Sequence, residues 1–230
     1  MLKIDLHIHS NKDPEDSHFI EYSPEEMVVY ASKQGYDAIS FTHHNKLFMP
    51  SQDLLKIAEQ HNIILILGVE ATIEGKEVLI YNIGEDTLKN INTLEDLKHL
   101  PDTALVIAPH PFYKDKKCLG NLISIKPNLF DAIEYCHFYT FLINWNRKAV
   151  KLAKKLNKPL VGTSDSHHLF QFGTTYTLVN ADKNIDSIIK AIKENKIQLV
   201  TKPLPLHIFA KLFFSSLVRY IAKRIKLIVK

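Results

Sequence analysis

Cysteine is almost missing from this 230-residue chain, with Cys118 and Cys136 its only two. Two thiols make neither a disulfide framework nor a four-thiolate zinc site, so the expected setting is a reducing cytosol and any metal must be held by imidazole and carboxylate. Arginine is nearly as scarce. Of Arg147, Arg219 and Arg224, two fall beyond residue 218, which argues against a bidentate arginine clamp on a phosphate inside the fold. No run approaches the roughly 18 uninterrupted apolar residues of a membrane span, and the opening MLKIDLHIH lacks a signal-peptide core, so the expectation is a cytoplasmic protein. Neither a GxxxxGK phosphate loop nor a GxGxxG turn occurs, which gives a nucleotide cofactor no support. Acidic residues stop at Glu194, and the eight basic residues beyond it leave the preceding body at −4 within a net charge of +4.

What is present suits a single packed domain. Hydrophobic residues make up 46% of the chain, and α/β barrels of about this length form one core. Strands are expected at Leu2 to Ile8, Ala38 to Thr42, Ile63 to Val69, Glu77 to Ile83, Ala104 to Ala108, Ala132 to Tyr135, Leu160 to Thr163 and Thr175 to Val179. Several are near-continuous apolar runs, the pattern of a parallel sheet covered on both faces. Amphipathic helices are expected at Pro24 to Gln34, Ser51 to Gln60, Leu94 to Leu100, Phe141 to Leu156 and Ile185 to Glu194. This alternation predicts an α/β fold, a closed or nearly closed β/α barrel.

Seven of the twelve histidines sit in four short blocks at the ends of apolar runs: DLHIH, FTHHN, APHP and GTSDSHH. On a strand, residues i and i+2 share a face, so His7 and His9 can present their imidazoles to one ion, and Asp165 with His167 repeats the spacing. His44 follows ISFT, Glu70 follows IILILGV and His110 follows LVIA. The carboxyl ends of barrel strands are where such folds build active sites, and burying these groups together without a cation would leave them unpaired.

These blocks, with the SPEEM helix start at Ser23 to Met27, resemble the PHP family, named for its polymerase and histidinol phosphatase members; the match runs from residue 1 to about residue 180. The resemblance implies a distorted seven-stranded β/α barrel, here residues 1–202, holding two or three divalent ions (Mn, Fe or Zn) and hydrolysing a phosphoester. It further implies metal ligation by His7, His9, His44, Glu70, His110, Asp165 and His167, with Glu70 bridging. A loop ligand is expected within NKDPEDSHF, Asp16 before His18. Two departures stand out: His43 occupies the family's usual aspartate position in TDHN, and a histidine expected in the strand after Glu70 is replaced near Leu79.

The chemistry expected of such ions is activation of water for in-line attack at phosphorus, with no protein nucleophile. His137, after AIEYC, is the candidate proton source for the leaving group. Lys46, Lys114 and His168 are the candidate phosphate contacts. The expected substrate is a phosphorylated small molecule, a nucleotide or a nucleic-acid end. A noncatalytic metal-stabilised module is the alternative. Residues 203–230 read as an amphipathic helix with Leu206, Phe209, Leu212, Phe213, Leu217, Ile221, Ile225 and Ile228 on one side and only basic charge on the other. Such a helix could cap the barrel, pair two copies, lie on an anionic membrane or engage nucleic acid.

Overall fold

The computed structural model describes residues 1–214. Between Leu2 and Thr201 ten strands and six α-helices alternate along most of the chain. The strands are β1 (Leu2–Ile8), β2 (Ala38–Phe41), β3 (Ile64–Leu65), β4 (Gly68–Ile73), β5 (Lys76–Tyr81), β6 (Leu105–Ala108), β7 (Ala132–Cys136), β8 (Leu160–Thr163), β9 (Thr175–Val179) and β10 (Ile197–Thr201). The helices are α1 (Pro24–Lys33), α2 (Gln52–Gln60), α3 (Glu85–Lys89), α4 (Leu122–Ile125), α5 (Asn146–Leu156) and α6 (Ile185–Lys193). At α1 the expected start holds: Ser23 Oγ accepts from Glu26 N, the Glu26 carboxylate accepts from Ser23 N, and Pro24 fills the first turn.

The expected seven-stranded barrel is not what forms. The strands make two mixed five-stranded sheets, ordered β10-β9-β1-β2-β3 and β4-β5-β6-β7-β8, with no closed ring among the described residues. Three local features explain the difference. Glu74 and Gly75 take positive φ (+50° and +74°), the backbone of a tight hairpin, so β4 and β5 pair antiparallel and break the parallel progression. The apolar run Ile63 to Val69 divides between the sheets, because Gly68 lies where a Cβ would stand 2.3 Å from Ser40 Oγ and 2.8 Å from Tyr81 Cδ1. At the other seam, β1 pairs antiparallel with β9 over Leu2 to Ile4, and meets the β8 side through the single bridge Ile8 to Ser166. Between β8 and β9 a side chain replaces the ladder, with Thr177 Oγ1 accepting from Gly162 N and donating to Gly162 O.

The sheets close on each other over apolar side chains. Ile4 and Leu6 of the first meet Leu79, Tyr81, Leu105, Ile107 and Val161 of the second, all essentially sealed from solvent. Each such buried side chain contributes about 1.5–3 kcal/mol. Tyr81 fixes their relative height by donating its hydroxyl to Leu6 O at 2.8 Å.

Two other expectations shift. Residues 141–145 are not helical, because Thr140 turns the chain back through bonds to Leu142 and Ile143, and α5 starts at Asn146. β10 was not anticipated; it forms by antiparallel pairing with β9. In the tail, residues 206–214 are helical. Phe209 and Leu212 pack there with Leu204, Phe138 and Trp145. Leu217, Ile221, Ile225 and Ile228 lie outside the described residues. Among the described residues no helix is long and apolar enough to cross a membrane.

Candidate metal centre

Both seams between the sheets run through the histidine blocks. The bridges Ile8 to Ser166 and His44 to Glu70 are the points where the sheets touch in register. His7 lies on β1, and His9 and His44 just past β1 and β2, all in the first sheet. Glu70 within β4, His110 after β6, and Asp165 and His167 after β8 come from the second. His110 and Asp165 hold positive φ (+25° and +44°), a conformation that packing must impose on residues with a Cβ and that recurs at functional sites.

The imidazoles share one arrangement: Nδ1 is engaged and Nε2 is turned into a common space. His7 Nδ1 donates to Glu134 Oε1 at 2.7 Å. His9 Nδ1 and His44 Nδ1 both donate to Asp13 Oδ2, at 2.8 and 3.1 Å, and that oxygen also accepts from His44 N at 2.9 Å. His167 Nδ1 donates to Asp165 O at 3.1 Å, and Cys118 Sγ lies 3.6 Å from His110 Nδ1. An imidazole whose Nδ1–H is held by an oxygen presents the Nε2 lone pair, and orienting partners of this kind surround histidines that bind metal.

The inward atoms crowd together. His7 Nε2 and His9 Nε2 stand 3.2 Å apart. Glu70 Oε2 lies 3.3 and 3.4 Å from them, and Asp165 Oδ1 lies 3.5 and 3.4 Å from them. Ligand atoms arranged tetrahedrally about one ion, at about 2.0–2.2 Å each, would be separated by about 3.4 Å. Four lone pairs at such spacing repel unless a proton or a metal cation sits among them. Glu70 reaches two sides of the space, Oε2 to His44 Nε2 at 3.3 Å and Oε1 to His110 Nε2 at 3.1 Å. Overlapping groups able to hold an ion are His7, His9 and Glu70; His7, His110 and Asp165; His9, Asp165 and His167; His9, Asp13 and His44; and Glu70, Glu77 and His110.

Without an ion these groups strain one another's titration. Burial opposes charge on His7, but Asp165, Glu70 and Glu134 outweigh it and push the imidazole up to about 10. Burial likewise opposes ionisation of Glu70, and His7 and His44 outweigh it, holding the carboxyl well below its ordinary value. A field that grips protons this firmly is one that a divalent cation would neutralise.

Of the expected loop ligands, Asp16 approaches the cluster, with Oδ2 3.3 Å from His167 Nε2, and His18 is exposed against Phe19. Three carboxylates escaped the sequence reading. Asp13 and Glu134 orient imidazoles, and Glu77 lies 3.9 Å from His110 Nε2 and pairs with Lys117 at 3.0 Å. Asp13 was visible as an i, i+4 partner of His9, whereas Glu134, 127 residues from His7, left no local signal. Leu79, at the departure noted above, packs in the core, and Glu77 precedes it on the same face of β5.

Several expected contacts lie elsewhere. Lys46 and Lys114 are exposed, and neither lines the cavity beside the cluster. His168 stacks on Phe170 and faces a separate depression with Glu21, Glu26 and Lys211. His43 packs beside Phe48 and bonds Ser10 Oγ at 2.8 Å; burial lowers its imidazole to about 3. His137 does line the cavity, yet its Nε2 accepts from the Gln171 amide at 3.1 Å and burial lowers it to about 4. That pattern makes His137 a neutral support for Gln171, whose Oε1 accepts from His167 N and His168 N.

Residues 144–197, from α5 into β10 and including Asp165 and His167, match the PHP-associated family model. No curated protein matches the sequence. In structure the chain is similar to a two-domain protein from Bacteroides vulgatus that contains a predicted PHP-like metal-dependent phosphoesterase, with 19% identity and a TM-score of 0.63 over 87% of this chain. This chain spans 64% of that protein's length. PsfC from Pseudomonas syringae is 17% identical with a TM-score of 0.62, covering 96% of this chain and 98% of its own. An amidohydrolase from Chromobacterium violaceum is 13% identical with a TM-score of 0.53, covering 85% and 97%. The likenesses show a shared fold, and the PHP-associated match covers residues 144–197, the stretch that carries Asp165 and His167.

Proposed function

We propose that this chain is a metal-dependent hydrolase of phosphoesters. The carrying observation is the set His7 Nε2, His9 Nε2, Glu70 Oε2 and Asp165 Oδ1 at 3.2–3.5 Å, with both histidine tautomers set from behind by carboxylates. His7, His9, His44, Glu70, His110, Asp165 and His167 are the proposed holders of two or three divalent ions, with Asp16 and Glu77 at the margins. Such ions supply Lewis acidity and a water that ionises near neutral pH. The protein's share is geometric: Asp13 and Glu134 hold three imidazoles in place, Glu70 spans the two sides of the cluster, and the sheet core behind His7 excludes bulk water. Among the described residues the cavity lining has no lysine or arginine, so the proposed ions would be the positive charges there that meet a substrate phosphate.

Metal analysis combined with a screen of phosphomonoesters and phosphodiesters tests the proposal. The expected result is about two to three ions per chain and turnover that drops by at least about a hundredfold in folded Asp165→Asn. Full metal occupancy with no turnover on any phosphoester would instead make the chain a noncatalytic metal-stabilised module.

A further inference from the structure

The cavity beside the metal cluster has a volume of about 270 Å³. His110, Asp165 and His167 line it together with Tyr113, Phe138 and Leu212. Leu212 belongs to the C-terminal segment, beyond the residues that resemble the family, and is 2% exposed. The segment is seated firmly: Leu204 N donates to Tyr139 O at 2.8 Å, and the Phe209 ring stacks on Phe138 at 4.5 Å and 15°. Phe138 is fixed in turn by Tyr113, whose hydroxyl donates to Phe138 O at 2.7 Å.

We propose that residues 204–214 form one wall of the substrate cavity, and that Leu212 restricts the site to phosphomonoesters with a small, flat, apolar leaving group. This deepens the phosphoesterase reading and rests on it. Pockets that take drug-sized ligands run from about 300 to 1,000 Å³, so a space of this size suits a smaller molecule. Glu77, His110, Asp165 and His167 make the cluster side of the lining, Asp115, His137 and Gln171 add polar groups, and the face made by Tyr113, Phe138 and Leu212 with Cys118 and Cys136 matches an apolar group. Among the described residues this lining holds no lysine or arginine of the kind that binds a polynucleotide backbone.

Trp145 is the chain's only tryptophan and lies 6.1 Å from both Phe138 and Phe209, so it reports on the wall directly. The test measures binding of phenylphosphonate and 1-naphthylphosphonate, neither hydrolysable, to the full-length zinc-loaded chain through Trp145 emission. The wild-type chain should prefer the phenyl compound by about tenfold or more, and Leu212→Ala should reduce that preference by about tenfold. Phe209→Ala, which loosens the same wall from outside the cavity, should act in the same direction. Preference unchanged in both variants, or no binding of either phosphonate, overturns the inference. Hydrolysis of phenyl phosphate is followed in parallel. Altered selectivity without hydrolysis leaves the wall and removes the phosphoesterase reading, whereas hydrolysis with unaltered selectivity does the reverse.

Discussion

Glu134 Oε1 accepts the Nδ1–H of His7 at 2.7 Å, and both side chains are completely buried. The carboxylate is also held by Thr163 Oγ1 and by His110 N, so one residue of β7 ties three ligand-bearing segments together. Glu134→Gln keeps the shape and removes the charge. Metal affinity, measured by competition with a chromophoric chelator, should fall about 10- to 100-fold while secondary structure is retained. An unchanged affinity would show that the pair serves packing alone.

Because His7, His9 and His44 come from one sheet and Glu70, His110, Asp165 and His167 from the other, bound ions would cross-link the two. A ligand present at about a hundred times its dissociation constant stabilises by about 2.7 kcal/mol. Scanning calorimetry with and without chelator should therefore show a loss of about 5–10 °C in Tm. Equal midpoints would mean that the sheets do not depend on the ions.

Gly162 stands where β8 passes β9, and a Cβ there would lie 2.4 Å from Leu199 Cδ1 and 2.8 Å from Tyr176 O. The leucine can move, but the backbone oxygen cannot. Gly162→Ala should cost about 1–3 kcal/mol in urea unfolding. Gly84→Ala, whose Cβ meets open space at ordinary φ, should stay below about 1 kcal/mol. Equal costs at the two sites would refute the close approach.

Burial lowers the His137 imidazole to about 4, from 6.5 in the unfolded chain. Below about pH 6.5 the unfolded chain takes up a proton that the folded chain refuses, so stability present at neutral pH is lost as the pH falls toward 4. His137→Asn removes this linkage and should flatten the acid limb by about 1.4 kcal/mol per pH unit across that window. Parallel curves for the two proteins, from unfolding midpoints at successive pH values, would place the acid sensitivity elsewhere.

Local order along the chain was enough to read most strands, the α1 start at Ser23 and Pro24, and the blocks that carry His7, His9, His44, Glu70, His110, Asp165 and His167, because period-2 spacing and cap chemistry act between near neighbours. Sheet closure was not legible in the same way. It turned on the Glu74–Gly75 hairpin, the tight approach at Gly68 and the Thr177 bridge to Gly162, none of which a hydropathy pattern encodes. The same limit governed the site. The sequence determined by itself which residue types were available to hold an ion; tertiary structure alone decided that Asp13 and Glu134 would orient the imidazoles, that Lys46, Lys114 and His168 would lie outside the cavity lining, and that Leu212 would line it. A hydrogen bond between His7 and Glu134 spans 127 positions, and only the packing of β1 against β7 and β8 brings such partners within 3 Å.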